Sequence, residues 1–169
     1  MATVFTPQFG KVYRLHSRLD PDLVLGTEAY TDVPYGMAQV KRLGSSNTSR
    51  TTWLLTADTN DPNNADGCND AYKDARFNFR SAEAPNLYLT WSAQGKPFYL
   101  TAEPRLIASE LARFTLEVSE GDWRKIVRPA HDWRDCADVQ NAEKNAGTTV
   151  INWSSNSGDN QQWRLEMVG

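Results

Sequence analysis

Apolar positions along the chain fall in short runs separated by turn-forming residues. The runs are "KVYRL" (11–15), "LVLG" (23–26), "MAQV" (37–40), "TTWLLTA" (51–57), "RFNFR" (76–80) and "LYLTW" (87–91). They continue with "PFYLTA" (97–102), "ARFTLEV" (112–118), "RKIV" (124–127), "TTVINW" (148–153) and "QQWRLEMV" (161–168). Val, Leu, Tyr, Phe, Trp and Thr dominate them, the residues that suit a pleated, half-buried surface. Helical periodicity is scarce, and only residues 65–74 and 107–112 approach it. The pattern predicts an all-β chain of eleven or twelve strands, a sandwich or a barrel.

Internal repetition decides between the two. "YRLHSRLDPDLVLG" (13–26) aligns without a gap on "FNFRSAEAPNLYLT" (77–90), at an offset of 64. Tyr13 meets Phe77, Leu15 meets Phe79, Ser17 meets Ser81, Pro21 meets Pro85, Leu23 meets Leu87 and Leu25 meets Leu89. A weaker third copy places Cys136-Ala137-Asp138-Val139 on Leu23-Val24-Leu25-Gly26, at an offset of 113. Each copy ends on a strand that carries an aromatic near its start: Trp53, Phe114 and Trp163. Three units of about four strands, none able to bury its apolar face alone, close on one axis as a β-trefoil with pseudo-threefold symmetry. The expected repeats are residues 8–58, 72–119 and 120–169 of a single domain, with 59–71 an inserted loop.

Composition narrows the function classes. At 169 residues the chain fits one domain and can bury a core without staples. Net charge is −3 and the pI about 5.4, with Lys and Arg scattered singly or in pairs such as Lys41-Arg42. Nucleic acid is therefore not an expected partner, because phosphate contacts need clustered cations. No apolar run approaches the ~18 residues of a membrane-spanning helix, so membrane insertion is not expected. The start, "MATVFTPQFGKVY", lacks the basic and apolar segments of a secretory leader. With only Cys68 and Cys136, there is no disulfide framework either. A cytoplasmic location is the expectation, and the sequons at Asn47 and Asn152 carry no weight there. The stretch "DTNDPNNADGCND" (58–70) lacks calcium-loop spacing and reads as a surface loop. His16 and His131 have no acid, base and nucleophile beside them. No metal, cofactor or catalytic site is expected, and the chain is not read as an enzyme.

The last fifty residues carry more. "CADVQNAEKNAGTTVINWSSNSGDNQQW" orders a C-x-D-V start, a G-T-x-V strand, an aromatic and an N-Q-x-W end. This resembles the third repeat of ricin-B-type lectins, and the absence of a leader and of a bridge resembles small cytosolic fungal lectins. The resemblance implies a carbohydrate-binding lectin for galactose or N-acetylgalactosamine (GalNAc) type glycans. It implies Asp138 as hydrogen-bond acceptor, Trp153 as stacking platform and Asn160 as amide partner. Gln161 would orient Asp138 or brace the loop. Ile151 stands where the family often has Gln, which removes a polar contact. Cys136 matches the family's first bridge cysteine, but Ser155 stands at its partner's place. Physical chemistry supports the division of labour. An indole face covers the C–H face of a galactose-type ring, a carboxylate accepts from adjacent hydroxyls, and an amide donates and accepts.

The other repeats lack the same residues. The alignment puts Leu25 and Leu89 at the Asp138 position, and Leu43 or a neighbour and Thr101 or Ala102 at the Trp153 position. One site per chain is expected, and agglutination would then need a homodimer or a second site. Alternatives stay open. Trp153 also fits a plain core aromatic. A trefoil can also be a protease inhibitor that inserts an exposed loop, here 44–50 or 58–70.

Overall fold

The computed structural model describes residues 7–28, 36–44, 50–57, 76–128 and 134–168. Twelve strands follow in order: β1 (Lys11–Ser17), β2 (Asp20–Thr27), β3 (Ala38–Arg42), β4 (Trp53–Ala57), β5 (Phe77–Ser81), β6 (Tyr88–Thr90), β7 (Tyr99–Thr101), β8 (Thr115–Glu120), β9 (Trp123–Val127), β10 (Asp135–Val139), β11 (Val150–Ser154) and β12 (Trp163–Met167). The candidate helix at 107–112 is instead one turn, α1 (Pro104–Ile107), followed by a 3-10 turn at Glu110–Ala112. Ser109 separates them, because its Oγ accepts the Leu111 N–H and caps the second turn. The candidate helix at 65–74 and the loop at 58–70 lie outside the described residues.

Six strands form a barrel. β1 pairs with β12 and β4, β4 with β5, β8 with β9, and β9 with β12. Phe77 and Phe114 close the ring by exchanging backbone hydrogen bonds of 2.8 and 2.9 Å. Strand alternation sends Tyr13, Leu15, Trp53, Leu55, Phe77, Phe79, Leu116, Ile126, Trp163 and Leu165 into one core. The other six strands make three hairpins, β2–β3, β6–β7 and β10–β11, which cap one end of the barrel. The chain is a β-trefoil.

Three bridges between the hairpins fix the threefold correspondence: Met37 with Tyr99, Pro97 with Ile151, and Thr149 with Gln39. Residues 37, 97 and 149 are thus equivalent, and so are 39, 99 and 151. Cross-strand pairing extends this to Leu25, Leu89 and Ala137, opposite Val40, Leu100 and Asn152. The indole N–H groups agree: Trp53 donates to the Leu25 carbonyl at 3.0 Å and Trp163 to the Ala137 carbonyl at 3.2 Å. The third copy is therefore offset by 112 in its hairpin, not 113. Asp138 corresponds to Gly26 and Thr90, rather than to Leu25 and Leu89. Leu25 and Leu89 are core residues, and one step along a strand turns a side chain to the opposite face.

Repeat two replaces the indole at Phe114 by pairing it with Trp91. The two rings stack at 5.0 Å and 24°, and the Trp91 N–H donates to the Arg113 carbonyl at 2.6 Å.

Candidate functional site

The β10–β11 hairpin positions most of the predicted residues. Ala137 and Val139 point into the core, so Cys136 and Asp138 take the opposite face of β10. On β11, Trp153 lies opposite Cys136 and Ile151 lies opposite Asp138. Asp138 and Trp153 are consequently diagonal neighbours on one face, separated by roughly 7 Å. Trp153 is 44% exposed, whereas Trp53 and Trp163 are sealed in the barrel. An indole so open is not a core aromatic. Ile151 is 7% exposed and forms an apolar wall beside the carboxylate.

The polar loop between β11 and β12 brings the remaining residues to that face through a 3-10 turn at Asp159–Gln161. Gln161 is fully buried. Its amide donates to Asp138 Oδ2 at 2.7 Å and to the Ser154 carbonyl at 2.9 Å, and its Oε1 accepts the Asn156 N–H at 2.7 Å. Gln161 thus links the Asp138 carboxylate to the backbone of the loop. Asn160 donates to the Val139 carbonyl at 3.3 Å and also hydrogen-bonds the Asp138 carboxylate. Gly158 sits against the Asn160 and Asn156 side-chain oxygens, where any Cβ would collide.

Asp138 is 3% exposed. Burial pushes its carboxyl above the usual aspartate range, and the Gln161 and Asn160 hydrogen bonds pull it back in part. The neighbouring Cys136 is a free, buried thiol pushed up to about 12, chiefly by burial. Ser155, at the missing partner's place, hydrogen-bonds this thiol, and Lys125 Nζ donates to Ser155 Oγ at 3.0 Å.

The sequence reading missed what supports Trp153. The chain between β6 and β7 of repeat two runs beneath it. A Cβ built on Gly95 would lie 3.4 Å from the indole Cζ3, so the ring rests on bare backbone there. Gly95 has a φ of +76°, which glycine adopts without strain. Only the pairing of two repeats in space reveals this neighbour. The one hint in sequence is Asn152 at a position where the other repeats place Val40 and Leu100.

Corresponding places in the other repeats are differently filled. Repeat one has Gly26, Lys41 and Arg50 where repeat three has Asp138, Trp153 and Asn160. The sequence alignment put Leu43 or a neighbour there, and the strand pairing puts Lys41. Lys41 is buried, and its Cδ lies 3.0 Å from where a Gly26 Cβ would stand, so its stem occupies the cradle. Repeat two offers Thr90, Thr101 and Leu111. Neither set pairs a carboxylate with an exposed aromatic. Among the described residues no group of three or more His, Cys, Asp or Glu could hold a metal. His131, Trp133, Cys68 and most of the two loops considered for protease inhibition lie outside the described residues.

No protein family matches the chain by sequence, and neither does any curated protein. Solved structures do match. A designed threefold-symmetric protein, ThreeFoil, is 21% identical with a TM-score of 0.69, over 91% of this chain and 96% of that one. The C-terminal half of an earthworm R-type lectin, in complex with GalNAc, is 15% identical with a TM-score of 0.61, over 94% and 99%. The Polyporus squamosus lectin, bound to a sialylated galactose-containing epitope, is 14% identical with a TM-score of 0.68, over 96% and 50%. The chain spans smaller shares of longer neighbours: 18% of a mosquitocidal holotoxin and 31% of an exo-β-1,3-galactanase from Clostridium thermocellum. These likenesses establish the trefoil fold.

Proposed function

We propose that the protein is a lectin that binds galactose or GalNAc type glycans at one site, on the outer face of β10–β11. The observation that carries the proposal is the pairing of a half-exposed indole with a braced carboxylate on one hairpin face. The Trp153 face covers the apolar side of the sugar, removing C–H surface from water. Asp138 accepts from adjacent hydroxyls, and its charge strengthens those bonds. Asn160 supplies an amide at the loop side, and Ile151 closes the wall. Gln161 touches no sugar in this scheme; it fixes the carboxylate. The lectins among the structural neighbours support a carbohydrate ligand.

Binding of this kind exchanges water hydrogen bonds for sugar hydrogen bonds, so a single site is weak. We assign no reaction to it. Cross-linking of cells would need a homodimer or a second site. A cytoplasmic setting belongs to the same proposal, and the free Cys136 thiol is compatible with it. The test is calorimetric titration with galactose, GalNAc, lactose and glucose. Saturable binding is expected, with GalNAc or galactose preferred over glucose. A folded protein that binds none of them at millimolar concentration, and nothing on a glycan array, would overturn the proposal.

A further inference from the structure

Backbone hydrogen bonds join β11 to repeat two as they join β3 to repeat three: the Asn152 N–H donates to the Lys96 carbonyl at 3.0 Å and the Gly95 N–H to the Asn152 carbonyl at 2.7 Å, matching Val40 N–H to the Thr148 carbonyl at 2.9 Å and Gly147 N–H to the Val40 carbonyl at 2.8 Å. Side chains add two further ties at β11. Asn152 Nδ2 donates to the Ser92 carbonyl at 2.9 Å, and Gln94 Nε2 to Ser154 Oγ at 2.6 Å. Gly95 then forms the floor against the indole. Ser92 Oγ donates to the Lys96 and Pro97 carbonyls at 3.0 and 2.7 Å, which folds the 92–97 segment onto itself.

Asn152 itself is out of place in energetic terms. Its equivalents, Val40 and Leu100, are apolar core residues. Asn152 is 1% exposed, and its Oδ1 is buried without a hydrogen-bond partner. A buried polar atom left unsatisfied costs stability, and the position also forgoes apolar burial. The amide's other end makes the link to Ser92. That side-chain bond to repeat two, added to the backbone bonds that Val40 and Leu100 also make, is what this residue does that a Val or Leu could not.

We infer that Asn152, with Gln94 and Gly95 of repeat two, is a positioning device that fixes the orientation of the Trp153 indole for its ligand. The binding site is then composite, with its platform on repeat three and the floor of that platform on repeat two. This inference rests on the glycan reading for its purpose, but not for its geometry. An indole already held in one orientation loses less freedom when a sugar stacks on it.

The experiment uses the whole chain labelled with 5-fluorotryptophan. It has six tryptophans, and the Trp153 fluorine resonance is assigned by its loss in Trp153→Phe. Two variants are compared with wild type: Asn152→Leu, which restores the apolar residue of repeat two, and Gln94→Ala, distant in sequence from the indole. Both are expected to shift or broaden the Trp153 resonance and leave the other five in place. Asn152→Leu is expected to keep or raise the melting temperature, whereas a merely structural asparagine would lower it when replaced. Glycan affinity should fall roughly two- to tenfold in each, the range for ordering one loosened side chain. An unmoved Trp153 resonance in both variants overturns the inference, and so does a moved resonance with unchanged affinity. If wild type binds no glycan, the functional proposal fails, and the resonance alone decides the positioning.

Discussion

Asp138→Asn separates binding from folding. The substitution keeps the shape of the side chain and lets its carbonyl oxygen accept the Gln161 amide, now bonded at 2.7 Å. It removes a charge that burial disfavours, since the Asp138 carboxyl is held above its usual range. A group with a raised folded-state pKa favours folding most when protonated. Its contribution is present at low pH and lost as pH rises through the folded-state value. At neutral pH wild type therefore carries a buried-charge penalty that the asparagine variant lacks. The variant should melt at the same or a higher temperature, and its advantage should shrink as pH falls and wild-type Asp138 takes up its proton. Binding should move the other way. The remaining amide N–H₂ faces the ligand as a donor where the hydroxyls need an acceptor. Losing charge-assisted hydrogen bonds costs about 1.5–3 kcal/mol, roughly ten- to 150-fold in affinity. Calorimetric titration and thermal melts at neutral pH and near pH ~4 measure both. Undiminished affinity, or a large fall in melting temperature with the loss of binding, would refute the reasoning.

Trp153→Ala should lower affinity at least tenfold, about 1.4 kcal/mol, while the melting temperature stays near wild type, because the indole is 44% exposed; titration and a melt check this. Gln161→Ala should lower both, with about 1–3 kcal/mol of stability lost, since it leaves the Asn156 N–H and the Ser154 carbonyl without their buried partner; denaturant unfolding measures it. Trp163→Ala should cost about 3–5 kcal/mol through the cavity left in the barrel, read from the same unfolding curves. Glu166 is held below its usual range, first by the His16 hydrogen bond at 2.9 Å. Its contribution is present above the unfolded-state value and lost as pH falls through the folded-state value. A Glu166→Gln variant should accordingly match wild type in strong acid and melt lower at neutral pH, with the gap narrowed by salt because the carboxylate is half exposed.

Much of the fold was written in the spacing of apolar runs. Eleven of the twelve strands coincide with runs read from composition and alternation, and the twelfth, β10, lies within the third copy of the repeat. Trp53, Phe114 and Trp163 recur near the start of each repeat's last strand, and all three are core residues. The β-trefoil followed because a unit of four short strands cannot bury its own face. Register was less legible. In the third repeat, Ala137 carries the core position that Leu25 and Leu89 hold elsewhere, and so small a residue gives no hydrophobic signal. The alignment consequently settled one residue away, on Cys136 and Asp138.

The sequence by itself determined the strands, the threefold repeat and the presence of Asp138, Trp153 and Asn160 in a recognisable order. Those depend on local alternation and on spacing, which a linear string preserves. Tertiary structure alone decided that Asp138 is buried and tied to Gln161 while Trp153 stands open. It also decided that Lys41 fills the cradle of repeat one, and that Gly95 and Gln94 of repeat two lie against β11. Burial and through-space contact depend on which strands meet across the barrel axis. Residues 95 and 153 become neighbours only once three separate units have closed around a common core.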